Sequence, residues 1–288
     1  MKTLGEILKL STSFLEEKKI DRPRFSAETL LAHALKVKRV DLYMQFDRPL
    51  INSEVAVFRE FTRKRASNKP LEYILGEIDF YGCQIEVDSR VLIPRQETEI
   101  LAEHIVKKLK NKDLKGKILW DVCTGSGCLG ISLKKALPEL DATLSDISKE
   151  ALELAQKNGA QNRVEVKYLL GDLLAPFKGL SADIIVCNPP YISQSEFLNL
   201  DASVSHFEPK LALVGGERGT EIYERLAADL PEHLNAGGLL FLEIGAGQGE
   251  AIKEIFSEGP WAQKELLADW AGKDRFFFLE KQSNSRVS

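Results

Sequence analysis

Apolar residues recur at intervals of three and four through the first 70 residues, the spacing of one face of a helix. Turn signals in "IDRPRFS" and "DRPLINSE" divide the pattern into segments, and Ser53 followed by Glu54 is typical of a helix start. A small helical domain is therefore predicted over residues 1–70. The positions that carry the pattern are Leu4, Ile7, Leu8, Leu10, Ala27, Leu30, Leu31, Ala34, Leu35, Val55, Val57, Phe58 and Phe61.

The pattern changes after residue 70. "LEYILGEIDFYGCQIEVD" alternates around glycines, which predicts a β-hairpin linker over residues 71–92. From Lys117 onward apolar strands such as "KILWDVC", "ATLSDI" and "ADIIVCNPP" alternate with amphipathic helices. This alternation predicts an α/β domain over residues 93–288, with a mostly parallel, doubly wound sheet and ligands beyond the carboxyl ends of its strands. The polar end, "KQSNSRVS", is predicted to fray.

Charge is distributed unevenly. Residues 1–70 hold 15 Lys and Arg against 9 Asp and Glu, whereas the whole chain has a net charge of -4. The basic part suits an acidic protein or an RNA surface, or is simply a solvated helical surface. The chain has no stretch typical of a secretory signal or a membrane span, and its four cysteines form no CxxC pair. We therefore expect a cytoplasmic protein that binds neither membrane nor metal.

A glycine loop follows the first strand of the α/β domain. "DVCTGSGCLG" contains Gly125-x-Gly127-x-x-Gly130, and Asp146 ends the next strand, where a carboxylate can accept bonds from ribose hydroxyls. This geometry suits both nicotinamide dinucleotides and S-adenosylmethionine. Asp121 near the loop, suited to a cationic amino-acid group, and Asp172 after the third strand, suited to an adenine amino group, favour the methyl donor.

"IIVCNPPYIS" ends the fourth strand, which in such sheets lies beside the first. The prolines fix the backbone, so the Asn188 side-chain oxygen and the Pro189 carbonyl can accept the two N–H groups of a planar amino group. Tyr191 can cover the flat face of that group. The alternative is a stiff turn that only ends the strand. The amino group can belong to a carboxamide or to a base such as adenine.

These motifs, with "YILGEIDFYG", "VLIPRQETE", "FEPKLALVGGERG" and "FLEIGAGQG", resemble the HemK/PrmC family. Members methylate the glutamine of the Gly-Gly-Gln motif in class I peptide chain release factors. The resemblance implies a Rossmann-like S-adenosylmethionine-dependent methyltransferase sheet preceded by a helical bundle that helps to grip the release factor. It implies donor contacts from Cys123, Thr124, Gly125, Ser126, Gly127, Asp146, Asp172 and Asn188, and a substrate and catalytic site formed by Asn188, Pro189, Pro190 and Tyr191.

The chain departs from the family pattern at one position of "VLIPRQETE". Gln96 stands where family members usually have a second proline. Without that proline the loop is expected to be looser. Glu97 and Glu99 remain as loop anchors or as purely structural residues.

The resulting expectation is a cytoplasmic, monomeric protein-(glutamine) N-methyltransferase that binds no DNA directly. The rival is an adenine amino-methyltransferase acting on DNA or RNA, which the acidic α/β part disfavours. The sequence shows no evident proton-relay residue near the loop, which disfavours a nicotinamide oxidoreductase. A role limited to binding the methyl donor is disfavoured because it does not explain the two prolines.

Overall fold

The computed structural model describes residues 1–283, so most of the polar tail predicted to fray lies outside the described residues. The helices are α1 (Leu4–Glu17), α2 (Pro23–Leu35), α3 (Asn52–Ala66), α4 (Leu71–Leu75), α5 (Gln96–Leu109), α6 (Cys128–Ala136), α7 (Lys149–Gln161), α8 (Gln194–Phe197), α9 (Ala202–Ser205), α10 (Glu221–His233) and α11 (Gly249–Ile255). The strands are β1 (Glu77–Phe80), β2 (Cys83–Glu86), β3 (Ile118–Val122), β4 (Asp141–Asp146), β5 (Lys167–Leu170), β6 (Ala182–Cys187), β7 (Ile192–Ser193), β8 (Val214–Gly216), β9 (Leu234–Glu243), β10 (Trp261–Ala268) and β11 (Asp274–Lys281).

The chain divides into two compact units. The first contains Met1–Glu77 and Asp201–Phe207, and the second contains the rest of the chain. In the first unit, Thr3 caps α1: its hydroxyl accepts from the Glu6 N–H and the Glu6 carboxylate accepts from the Thr3 N–H. Such a capping box satisfies amide groups that a helix start leaves without partners. The helices α1 to α3 agree with the helical pattern of the sequence.

One short segment differs from its predicted structure. Leu71–Leu75 forms α4, whereas the alternation around it predicted a strand of a hairpin. Leu71 and Ile74 are buried in the apolar core of the helical unit, three residues apart, so helical spacing satisfies their burial better than a period of two. The hairpin strands are β1 and β2.

The second unit contains a seven-stranded sheet with the order β10-β11-β9-β6-β3-β4-β5. The pairs β3–β4, β4–β5, β3–β6 and β6–β9 are parallel, and β11 runs antiparallel to its neighbours. The central strands β3, β4, β6 and β9 are largely buried because helices cover parallel sheets on both faces, whereas the edge strands β5 and β10 are half-buried or exposed over most of their length. The predicted α/β fold and the pairing of the fourth strand with the first are confirmed.

The order of the strands reverses at β3, which has β4 on one side and β6 on the other. This reversal determines where the site lies. Val122 at the end of β3 is paired with Cys187 at the end of β6. The loops after these two strands therefore leave the same edge of the sheet, where ligands of such sheets bind. Among residues 1–283 no helix is both long enough and apolar enough to cross a membrane.

Candidate active site

A cleft lies at the carboxyl edge of the sheet. The structure brings seven of the predicted residues to its lining and leaves four out of it. The lining includes Cys123, Thr124, Gly125, Ser126, Asp146, Asn188 and Pro190, but not Gly127, Asp172, Pro189 or Tyr191.

The loop after β3 turns through left-handed backbone conformations. Cys123, Gly125 and Gly127 have φ angles of 61°, 54° and 81°. A side chain is tolerated there with difficulty, which explains the two glycines and makes Cys123 a strained position. Around the place where a Gly125 Cβ would be, nothing lies within 4 Å. A ligand in the cleft can therefore approach the Gly125 backbone closely.

Asp121, a buried residue of β3, is hydrogen-bonded to this loop and to the start of α6. Its Oδ2 atom accepts hydrogen bonds from the Thr124 hydroxyl at 2.5 Å and from the Gly130 N–H at 2.9 Å. Burial raises the pKa of Asp121 to about 7. The sequence suggested that Asp121 faces a cationic ligand group; the structure shows its carboxylate bonded to the loop, although the residue also borders the cleft.

Asp146, at the end of β4, is hydrogen-bonded to the loop that follows β3. Its Oδ2 atom accepts from the Gly125 N–H at 2.8 Å, and its Oδ1 atom accepts from the Ser148 N–H at 2.9 Å. Burial raises the pKa of this carboxyl group. Each carboxylate oxygen has a second lone pair, so contact with ribose hydroxyls stays a prediction compatible with this arrangement.

Asp172 lies elsewhere. Its carboxylate accepts from Arg225 at 2.5 Å in an exposed ion pair, and Asp172 does not line the cleft. The turn after β5 starts a short 3₁₀ helix there, with the Ala175 N–H bonded to the Asp172 carbonyl. The structure does not bring Asp172 to the donor site predicted for it.

The Asn-Pro-Pro-Tyr segment is held from several sides. The Asn188 side-chain N–H donates to the Thr98 hydroxyl at 3.2 Å, and the Thr98 hydroxyl donates to the Glu243 carboxylate at 2.7 Å. The Tyr191 carbonyl accepts from the Gln248 side chain at 2.9 Å. The motif is therefore a fixed element of the cleft wall.

Glycines of "FEPKLALVGGERG" pack against the backbone of that motif. A Cβ on Gly215 would clash with the Pro190 carbonyl, and one on Gly219 would clash with the Tyr191 carbonyl. Strand β7 directly follows the motif and pairs with β8, which contains Gly215. The close approach of two backbones requires glycine here.

The same segment also holds "VLIPRQETE". Glu208 is buried; its carboxylate accepts from the Ile93 N–H at 3.0 Å and from Arg95 at 2.5 Å. Gln96 is the first residue of α5, the position where proline is favoured, so the helix begins there without one. Glu99, in the first turn of α5, accepts from the Tyr81 N–H at 2.8 Å and so bonds α5 to the hairpin turn.

Sequence reasoning did not single out three residues of this region. Thr98, Glu208 and Glu243 are buried polar side chains that hold the cleft walls. Glu243 had a signal, because a carboxylate that directly follows the apolar run "LLFL" is unusual unless it is paired. Thr98 and Glu208 stand within segments already quoted, but their partners are 145 and 115 residues away in sequence.

Comparisons with known proteins match both parts of the chain. Family models described as the PrmC N-terminal domain and the methyltransferase small domain match residues 6–76 and 95–204. A release factor glutamine methyltransferase of Chlamydia trachomatis serovar D is 42% identical over 285 residues, which is 99% of this chain and 97% of that protein. One from Chlorobaculum tepidum is 38% identical over 94% of both chains. A Pyrococcus furiosus methyltransferase structure covers 70% of this chain and 90% of its own, with a TM-score of 0.52 and 18% identity, and supports the fold alone.

Proposed function

The chain belongs to the release factor glutamine methyltransferase family, and we propose that it methylates the side-chain amide nitrogen of the Gly-Gly-Gln glutamine in class I peptide chain release factors. The methyl group comes from S-adenosylmethionine. The observation that carries the proposal is the position of Asn188, which lines the cleft beside the glycine loop with its N–H₂ end already bonded to Thr98.

The residues around the loop fit the methyl donor. The open space at Gly125 and the Asp146 carboxylate beside it give a backbone cradle and an acceptor for hydroxyl groups. Cys123, Thr124 and Ser126 complete this wall of the cleft. When bound, S-adenosylmethionine supplies an electrophilic methyl group on a sulfonium. Asp172 is left out of this assignment because its carboxylate is bonded to Arg225.

Asn188 and Pro189 act on the substrate amide. The lone pair of an amide nitrogen is delocalised, and the same resonance gives a peptide bond a rotation barrier of about 18–20 kcal/mol. The Asn188 side-chain oxygen and the Pro189 carbonyl accept the two N–H groups and hold them so that the lone pair becomes localised on the nitrogen. Such positioning can contribute about 7–11 kcal/mol.

No general base is required before attack, because the proton becomes acidic once the nitrogen is methylated. Pro190 lines the cleft beside Asn188, and the prolines keep the two acceptors at a fixed angle. Tyr191 does not line the cleft, so covering the flat face of the amide stays a prediction for it; its backbone is held by Gln248. Burial raises the pKa of the Tyr191 phenol well above its usual value, so it stays neutral.

We assign the grip on the release factor to the helical unit, which contains the basic residues 1–70 and extends to Glu77, with Asp201–Phe207 added. A substrate of the translation machinery places the reaction in the cytoplasm, and we propose that the protein acts as a monomer without metal or direct DNA contact.

Incubation with radiolabelled methyl donor tests the function. Three substrates are compared: a class I release factor, the same factor with its Gly-Gly-Gln glutamine changed to alanine, and DNA. Label on the unmodified release factor alone is expected. Equal label on both release-factor forms would exclude that glutamine, and label on DNA would favour adenine amino groups.

A further inference from the structure

A chain of hydrogen bonds links the Asn188 carboxamide to a buried carboxylate. Asn188 Nδ2 donates to Thr98 Oγ1 over 3.2 Å, and Thr98 Oγ1 donates to Glu243 Oε2 over 2.7 Å. The three residues come from the loop after β6, from α5 and from the end of β9. Thr98 is 2% exposed and Glu243 is 1% exposed, so bulk water does not compete for these bonds. The chain therefore couples the orientation of Asn188 to groups deeper in the protein.

The direction of these bonds decides which end of the carboxamide points away from Thr98. An ionised carboxylate only accepts hydrogen bonds, so the single hydroxyl proton of Thr98 is given to Glu243. Thr98 Oγ1 is then left to accept, and only the nitrogen end of Asn188 can donate to it. The reversed carboxamide would set two lone pairs against each other. Asn188 Oδ1 is thus left for a ligand of the cleft that Asn188 lines.

We propose that Thr98 and Glu243 are positioning residues of the methyl transfer, which fix the Asn188 carboxamide with its oxygen toward the substrate N–H group. The inference rests on the proposed function, since it takes the substrate nitrogen to be the group that Asn188 meets. Without the two residues the carboxamide can turn over and present a donor to a donor. Glu243 does not line the cleft; Thr98 borders it, but its hydroxyl is bonded to Asn188 and Glu243, so Thr98 acts through Asn188.

The surroundings of Glu243 make its ionisation sensitive to pH near neutrality. Burial raises its pKa to about 7, opposed chiefly by the hydrogen bond from Thr98. The other groups that act on it are Arg275 of β11 and Tyr191 after β6, which lower the pKa, and Glu97 of α5, which raises it. A protonated Glu243 can donate to Thr98, which then can donate to Asn188 Oδ1. The competent orientation is therefore expected to be lost as pH falls below the pKa.

Four variants test the inference: Thr98→Val, Thr98→Ser, Glu243→Gln and, as a control, Ser132→Ala. Ser132 is also buried and donates to a carbonyl, that of Phe80 at 3.4 Å, away from Asn188. The measurements are kcat on release factor, donor affinity by calorimetry, and the thermal midpoint.

Thr98→Val and Glu243→Gln are expected to lower kcat by about 10- to 100-fold, the usual effect of removing a partner that orients a contact residue. Donor affinity should stay close to that of wild type, because the inference assigns neither residue to the donor. Thr98→Ser should recover most of kcat because it keeps the hydroxyl. The fall of wild-type kcat at acid pH should be reduced in Glu243→Gln.

Unchanged kcat in Thr98→Val overturns the inference. So does a Thr98→Ser variant as slow as Thr98→Val, or a loss of kcat that follows a lower thermal midpoint, because these results indicate packing. Wild-type protein that labels no release factor overturns the proposed function, and the inference with it; the wild-type reaction alone separates the two failures.

Discussion

At the scale of single residues, Glu243 links stability to pH. Its pKa is raised from 4.5 to about 7 by burial, so between these pH values the folded chain holds a proton that the unfolded chain releases. Stability is therefore expected to fall as pH rises through this window and to level off above it, by on the order of 3 kcal/mol. Urea unfolding at about pH 5 and about pH 8 should show a smaller loss in Glu243→Gln than in wild type. Equal losses would contradict the assignment.

Gly130 is required by the close approach of α6 to Asp121. A Cβ at this position would lie 2.7 Å from Asp121 Oδ2 and 2.8 Å from Leu144 Cδ1. Gly130→Ala should therefore displace the loop, lower stability by about 1–3 kcal/mol and weaken donor binding. Gly5→Ala is the matched control, since Gly5 is also helical and its Cβ would make ordinary contacts at 3.4 Å and beyond. Unfolding and donor titration of both variants provide the measurement; equal effects would contradict the role of Gly130.

Asn188 is expected to contribute to turnover much more than to donor affinity. Asn188→Ala removes the proposed acceptor for the substrate N–H and should lower kcat by about 10²- to 10³-fold, the cost of losing one preorganised group at the reacting centre. Single-turnover transfer and donor titration measure the two quantities separately. Turnover equal to that of wild type would reject the role of Asn188.

The sequence predicted the site residues that depend on local backbone geometry. Gly125 and the proline-fixed Asn188 are such residues and line the cleft, because their spacing alone determines the turns; Gly127 adopts the expected left-handed conformation but does not line the cleft. Side-chain partners across the sheet were not predictable. Asp172 has the right place after β5, but its carboxylate is bonded to Arg225 on α10, 53 residues on. The residues next to a carboxylate in sequence do not indicate which distant side chain will bind it.

At the scale of elements, Glu208 connects the loop before α5 to the segment before β8. Its side chain is 1% exposed and that of its partner Arg95 is 35% exposed. Arg95→Ala leaves a buried carboxylate with one N–H donor fewer, which should destabilise the protein by about 1–3 kcal/mol. The donor KM should rise, because neighbouring Pro94 lines the cleft.

Lys167→Ala is the control for Arg95→Ala. Lys167 and Asp141 form an ion pair in which both side chains are more than half exposed. Such pairs contribute about 0–1 kcal/mol, so little change in stability or KM is expected. Equal effects of the two variants, measured by unfolding and by initial rates, would mean that the Glu208 connection does not hold the cleft.

The sequence predicted elements well where the hydrophobic period extended over several residues. The strands β3, β4 and β6 follow their apolar runs. Short elements were missed, because β7 and β8 have two and three residues and no period can be detected over so few positions. The segment Asp201–Phe207 packs within the helical unit although 123 residues of the other unit precede it, and no local pattern predicts that.

At the scale of the whole molecule, the two units differ in charge as well as in fold. The excess of basic residues lies within residues 1–70, although the chain as a whole is acidic. Within the helical unit, α1 and α3 form a groove whose lining includes Leu10, Phe14, Arg59 and Arg63. Leu10 is 51% exposed, so the groove offers apolar surface beside positive charge.

If this unit grips the release factor, the two arginines should affect affinity for that protein and leave the chemistry unchanged. Arg59→Glu/Arg63→Glu is expected to raise the KM for release factor about tenfold, since like charges facing an acidic partner cost binding energy. Donor affinity and kcat at saturating release factor should not change. Lys110→Glu/Lys112→Glu makes the same charge change on exposed lysines of the other unit and should have little effect. Equal KM values for the two double variants would exclude a specific role of the groove. Net charge alone would then explain the rise in KM, and added salt would reduce it equally in both variants.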